Sequence, residues 1–175
     1  MMAIPVVETE RLILRGHTLL DFPAYAAMRA DPVVMKFIGF GDLLSEEESW
    51  TNFRGIAGHW EYLNFGTWGI EEKASGALIG NIGYTDKKRV TTHPASGAPE
   101  IGWSLTPSAH GKGYASEALR AALAWGRDFF GPARVVCVIG DGNDASVRLA
   151  ERHGFKQFAT ARRQHLGRRV FARVL

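Results

Sequence analysis

Cysteine is nearly missing from this chain: Cys137 is the single one in 175 residues, so no internal disulfide can form. No Cys/His set has the spacing of a zinc site, and no metal is expected. A reducing, cytoplasmic setting fits that composition. Long apolar runs are absent too. None approaches the roughly 18 residues that a membrane span requires, and Met1–Glu8 lacks the basic-then-apolar order of a signal peptide. There is no G-x-x-x-x-G-K-S/T string, which excludes a triphosphate-binding P-loop. Gly111 and Gly113 are followed by Ser116 where a dinucleotide fingerprint needs its third glycine, and no opening βαβ unit precedes them. Excess charge is small as well. The net charge is +3, and the arginines Arg162, Arg163, Arg168, Arg169 and Arg173 gather near the end. No aromatic platform or helix-turn-helix spacing accompanies them, so they read as a solvated face or a phosphate contact, and nucleic acid is not expected.

What remains is ordinary globular composition, 46% hydrophobic and 22% charged, enough for one domain over residues 1–175 with its own core. Glu10–Arg15 reads as a strand. Leu20–Ala30 reads as a helix with Asp21 as N-cap and Asp31-Pro32 as its stop. A further helical turn over Val33–Ile38 is expected, closed by Gly39. Ser45-x-x-Glu48 is a capping box that opens a helix to about His59 or Trp60. Phe65–Glu71 and Ala77–Tyr84 read as a hairpin turning over Lys73–Gly76, and residues 87–98 as a polar surface loop. Pro99–Leu105 is a strand, Tyr114–Phe130 the longest helix, and Arg134–Ile139 a strand covered on both faces. Asn143–His153 is a helix ended by Gly154. Phe155–Gln164 and Arg168–Val174 are the last strands.

The most informative stretch is Leu105–Ala118: strand, proline, a turn with two glycines, then a helix. The first turn of a helix carries unpaired N–H donors and the positive end of the dipole, which suits a phosphate or pyrophosphate. His17, His59, His93, His153 and His165 show no ligand spacing, and packing or surface roles are expected for each.

These residues resemble the acetyl-coenzyme A site of the GNAT N-acetyltransferase superfamily. His110-Gly111-Lys112-Gly113-Tyr114-Ala115 is similar to that family's Gln/Arg-x-x-Gly-x-Gly/Ala loop, with His110 departing from the consensus. Asn143–Phe155 resembles its Asn-x-x-Ser-x-x-Leu-x-Glu-Arg-x-Gly-Phe element. Thr9-Glu10-Arg11-Leu12-Ile13-Leu14-Arg15, Gly80-Asn81-Ile82-Gly83 and Glu100–Leu105 resemble the branch containing the ribosomal-protein N-terminal-alanine acetyltransferases.

The resemblance implies a mixed α+β fold with a central, mostly antiparallel, splayed sheet of six to seven strands flanked by helices. It implies acetyl-coenzyme A and an amine acceptor as partners, with no membrane and no metal, and leaves room for a homodimer. By resemblance the backbone of Trp103, Ser104 and Leu105 pairs with pantetheine, and N–H groups from Gly111 to Ala115 hold the pyrophosphate. His110, Lys112, Tyr114 and Ser116 join that loop, with the Ser116 hydroxyl as an extra donor. Lys112 is otherwise a solvated charge. Asn143 is an N-cap and also faces the pantetheine arm. Acyl transfer to an amine needs a base, a polarised carbonyl and a proton for the leaving thiolate. Glu100 is the candidate base, against the reading of a salt-bridge glutamate. Ala150 stands where many relatives carry a tyrosine acid, so Ser146 is the candidate acid, against helix capping. Cys137 is a poor nucleophile, which favours direct transfer. A longer acyl group, or a binding module without catalysis, are the alternatives.

Overall fold

Small residues are interspersed with large ones in Leu78–Thr85, and that strand, β4, lies inside the sheet with both faces covered. Ile82 and Tyr84 point to one face, and the Tyr84 hydroxyl donates to Ala122 O of helix α4 (Tyr114–Phe130) at 3.0 Å. Asn81, Gly83 and Thr85 therefore point to the face opposite α4. A Cβ at Gly83 would collide with the backbone of Gly66 and Thr67, so only glycine lets β3 (Thr67–Glu72) approach this closely.

The computed structural model describes residues 3–39, 41–90, 92–163 and 166–175, without the side chain of Arg163. The expected strand end at Gln164 and the side chain of His165 lie outside the described residues. The remaining elements are β1 (Val7–Glu8), β2 (Leu12–Arg15), α1 (Phe22–Arg29), α2 (Pro32–Met35), α3 (Glu46–Leu63), β5 (Glu100–Leu105), β6 (Arg134–Gly140), α5 (Asp144–Arg152), β7 (Lys156–Arg163) and β8 (Leu166–Val174). They build one 8-stranded sheet in the order β1-β2-β3-β4-β5-β6-β8-β7, antiparallel except where β5 meets β6. The count exceeds the expected six to seven because Val7–Glu8 pairs with β2 through a register too short to read in sequence.

The main core joins Leu12, Leu14, Trp68, Ile70, Ile82, Tyr84 and Ile101 to Ala118, Leu119, Ala122 and Leu123 of α4. Tyr25, Met28, Val34 and Phe53 form a second cluster between α1, α2 and α3. Trp60, near the end of α3, reaches Trp68 and Trp125 at ring separations of 5.0 and 6.0 Å. The 87–98 loop carries one core residue: Ala95 is buried on Val136 and Val170.

The capping box forms as expected, with Ser45 Oγ accepting from Glu48 N–H and Glu48 Oε2 from Ser45 N–H at 2.8 Å. The helix runs past Trp60 to Leu63, where Asn64 takes a left-handed φ of 58° and ends it. Asp21 does not cap α1. Its carboxylate turns back to Thr18 N–H and the Arg15 guanidinium. Burial opposes its charge, but these donors outweigh burial and hold Asp21 below the usual carboxylate range. Asp31 is more than a stop: its Oδ1 accepts from Val33 and Val34 N–H and starts α2.

Candidate active site

The strands β5 and β6 touch at one register pair, Glu100 with Val136, backed by Val136 N–H donating to Pro99 O at 3.1 Å. Beyond that point they part. On its other side β5 is fully laddered to β4, and Thr106 N–H donates to Ile79 O at 2.8 Å. Alternation along the ladder then turns the backbone polar groups of Gly102 and Ser104 toward β4, and those of Ile101, Trp103 and Leu105 toward the gap. Ser104, expected with its backbone at the open edge, is thus spent within the sheet. Leu105 O accepts from His110 Nε2 at 3.0 Å, so the open edge centres on Trp103.

At the end of β5 the chain enters the glycine turn. Gly111 and Gly113 have φ of 75° and 81°, and Gly113 is the N-cap of α4 with no side chain to offer. Ser116 and Glu117 N–H donate to Gly113 O. The N–H groups of Gly111, Lys112, Gly113, Tyr114 and Ala115 meet no acceptor among the described residues. They form a cluster of donors at a helix N-terminus. The side chains here turn elsewhere. His110 serves β5, and the Tyr114 hydroxyl donates to Glu72 Oε1 at 2.5 Å under the Arg11 guanidinium. The Ser116 hydroxyl shares a hydrogen bond of 2.8 Å with His153 Nε2, so it is engaged with α5, and His153 has a structural partner that no spacing revealed. Lys112 is exposed, and its side chain makes no hydrogen bond among the described residues.

A buried carboxylate fixes this turn to the sheet. Glu117, 6% exposed, accepts from Thr9 Oγ1 at 2.6 Å, Arg11 N–H at 2.8 Å and Arg11 Nε at 2.7 Å. Burial raises its proton affinity, but the combined donors prevail and hold Glu117 below the ordinary range. Arg11 also donates to Lys112 O at 3.0 Å. The Thr9-x-Arg11 pattern therefore has a physical meaning: it clamps the first turn of α4.

The gap opens into a cavity of about 600 Å³ on the face opposite α4, the volume of a small-molecule site. Asn81, Gly83 and Thr85 of β4 and Glu100, Gly102 and Ser104 of β5 line its floor. Asn143 and Ser146 reach it from the start of α5, and Arg29, Arg89, Arg162 and Arg168 from the surrounding walls. Asn143 Oδ1 accepts from Ser146 N–H at 3.1 Å, which makes Asn143 the N-cap of α5 and leaves its Nδ2 for the cavity. Ser146 Oγ accepts from the Trp103 indole Nε1–H at 3.3 Å. It is therefore not a capping hydroxyl, and its own proton stays available. Glu100, 13% exposed at its side chain, receives Arg89 Nε at 2.8 Å and Arg89 Nη2 at 2.7 Å, both on Oε2. Oε1 has no partner among the described residues. Cys137 lies buried in the cavity wall, where burial, aided by the Glu100 charge, pushes its thiol pKa up and keeps it protonated. Ala150 is wholly buried under α5, so no hydroxyl stands there.

Of the residues expected at the site, the structure brings Glu100, Trp103, Ser104, Asn143 and Ser146 to one cavity, and sets the 110–116 turn just beyond the end of β5. Arg89, Asn81 and Arg29 were missed. Only the charge of Arg89 within the 87–98 loop gave a signal.

The model of the acetyltransferase (GNAT) domain family matches residues 11–156. An uncharacterized N-acetyltransferase of Bacillus subtilis (strain 168), YoaA, is 30% identical over 156 residues, which cover 87% of this chain and 84% of that one. A GnaT-family acetyltransferase from Bordetella pertussis superposes with a TM-score of 0.84 at 28% identity, over 97% of this chain and 99% of that one. RimL, a ribosomal L7/L12 alpha-N-protein acetyltransferase solved with coenzyme A, shares the fold at a TM-score of 0.78 and 19% identity, over 98% of each chain.

Proposed function

This chain belongs to the GNAT acetyltransferase family, and we propose that it moves an acetyl group from acetyl-coenzyme A to a primary amine by direct transfer within a ternary complex. The unpartnered N–H cluster of Gly111–Ala115, one strand end away from the cavity holding Glu100 and Ser146, carries this reading. A pyrophosphate fits that donor set, as anions fit helix N-termini generally. The RimL neighbour was solved with coenzyme A, which agrees with it. Held by that turn and by the open edge of β5, the donor would supply a thioester for attack by an amine in the adjoining cavity.

The protein groups divide the remaining work. Trp103 turns both backbone groups to the open edge, its C=O to accept from an amide of the pantetheine arm and its N–H to polarise the thioester carbonyl. Asn143 Nδ2 faces the same arm. Glu100 Oε1, left free by the one-sided Arg89 pair, takes the proton that the acceptor ammonium must shed before its nitrogen can attack. As the C–N bond forms and the C–S bond breaks, the Ser146 hydroxyl gives its proton to the departing sulfur and is restored by the second proton that the new amide nitrogen sheds, relayed through water. The buried, protonated Cys137 thiol is not an acyl carrier.

The test is coenzyme A thiol release from acetyl-coenzyme A with a panel of primary amines, and mass spectrometry of the product. A product heavier by one acetyl group on nitrogen supports the proposal. Saturable acetyl-coenzyme A binding with no turnover on any amine would overturn it.

A further inference from the structure

The acceptor side of the cavity carries buried polar atoms that the fold leaves unsatisfied. Asn81 is 2% exposed on the cavity floor, and neither its Nδ2 nor its Oδ1 has a hydrogen-bond partner among the described residues. Arg29, in the last turn of α1, lines the same cavity with its Nε buried and unpartnered. The printed contacts of its guanidinium are the Tyr25 ring at 5.0 Å and Met35 Sδ at 3.9 Å, and among the described residues no carboxylate lies within ion-pair distance. Arg29 could serve α1 alone as a cation near the helix C-terminus, stacked on Tyr25. That role does not explain why its Nε is buried without an acceptor, and the Asn81 amide on the same cavity has no nearer candidate than the His17 ring.

Both groups line the one cavity and flank the His17 ring. His17 packs edge-on against Tyr25 and Phe53 at 6.0 and 5.4 Å, and it senses both the Arg29 charge and the Asn81 amide. Both of its ring nitrogens are buried and unpartnered as well. Acid is scarce around them. Among the described residues lining the cavity, Glu100 is the one carboxylate, and Arg89 holds it. Arg29 and Arg162 add positive charge to the walls. Buried donors without acceptors cost free energy, and a polar ligand that meets them in place of water recovers it.

We infer that the amine acceptor is a small molecule of the amino-acid class, whose carboxylate sits on Arg29 and the Asn81 amide while its amine points to Glu100. The inference rests on the transferase reading above and names the substrate class of that same cavity. A guanidinium edge with one amide N–H matches the two coplanar oxygens of a carboxylate better than the three of a phosphate. The cationic wall disfavours polyamines and aminoglycosides, which would bring further positive charge. A protein N-terminus has its first carboxyl locked in a peptide bond and leaves Arg29 unpaired.

The test compares the common L-amino acids with their carboxamides as acceptors for acetyl-coenzyme A. For an accepted amino acid, kcat/KM should exceed that of its amide by about tenfold to a hundredfold, the value of a buried charge-assisted contact. In Arg29→Gln, and independently in Asn81→Asp, that ratio should collapse to about one. A ratio near one in the parent protein, or one retained in both variants, overturns the inference. A second readout does not depend on turnover. A pool of N-acetyl-L-amino acids, the products of the reaction, should shift the His17 ring resonances in NMR, and should not do so in Arg29→Gln. If no amine is acetylated but the shift occurs, the carboxylate seat stands and the transfer proposal fails; no shift in the parent protein removes the seat.

Discussion

Trp103 Nε1–H donates to Ser146 Oγ at 3.3 Å, a bond that ties the open edge of β5 to the first turn of α5 across the mouth of the gap. It fixes the hydroxyl as an acceptor on one side and so leaves its proton directed elsewhere. If that proton goes to the departing sulfur, Ser146→Ala lowers kcat by about a hundredfold, the low end of general acid catalysis. The KM for acetyl-coenzyme A stays within about twofold, since Ser146 is not among the N–H donors of the anion turn. Trp103→Phe keeps an aromatic ring and removes the N–H, and costs kcat roughly threefold to tenfold through misorientation of Ser146. Steady-state rates of the two variants and the double variant decide it. Additive losses would show that the two residues act apart.

Glu100 and Arg89 form the second coupled pair, with both arginine nitrogens on one carboxylate oxygen. Glu100→Gln keeps the shape and removes the base, so kcat falls by about a hundredfold while acetyl-coenzyme A binding holds. Arg89→Met frees Glu100 to rotate and lowers kcat less, by about tenfold. Calorimetric titration with acetyl-coenzyme A beside steady-state kinetics separates the two quantities. Unchanged rates in Glu100→Gln would return Glu100 to a purely structural ion pair.

Gly102 lies on the cavity floor, and a Cβ built there meets nothing within 4 Å. Larger side chains at this position project into the acceptor space and not into the core. Gly102→Leu should therefore shift the melting temperature by no more than about 2 °C, as surface substitutions do. The same change should raise the acceptor KM at least tenfold and leave the acetyl-coenzyme A KM within about twofold. A large loss of melting temperature would show that this part of β5 tolerates no side chain.

Local chemistry made the glycine turn before α4 and the cap of α5 readable in advance. Two glycines ahead of a helix and an asparagine ahead of the next one are patterns that a few adjacent residues complete by themselves, and both sit where those patterns say. Of the charged and amide groups on the cavity wall, Glu100 was legible in advance, whereas Arg29, Asn81 and Arg89 come from α1, β4 and the 87–98 loop and share no period. Asn81 looks like any polar residue in an alternating strand until its burial and missing partners are seen. Asp21 misled for a related reason. An aspartate ahead of a helix suits an N-cap, but Arg15 on the neighbouring strand offers stronger donors than the helix N-terminus does.

His17 carries the clearest pH signature in the fold. Burial lowers its pKa from 6.5 to about 4, with Asp21 opposing and Arg15 and Arg29 assisting the shift. The unfolded chain thus takes up a proton near pH 6.5, while the folded protein stays neutral at this ring until about pH 4. Stability contributed by the neutral ring is fully present above pH 6.5, declines as pH falls through that window, and levels off below about 4. The shift corresponds to a contribution on the order of 3 kcal/mol. His17→Phe preserves the edge-on packing with Tyr25 and Phe53 and removes the titration. Urea unfolding from pH 7.5 to pH 4.5 should show the parent protein losing more stability than His17→Phe over this range. Parallel curves for the two would mean that the ring protonates as readily in the folded protein as in the unfolded chain, and that burial against Tyr25 and Phe53 does not set its proton affinity.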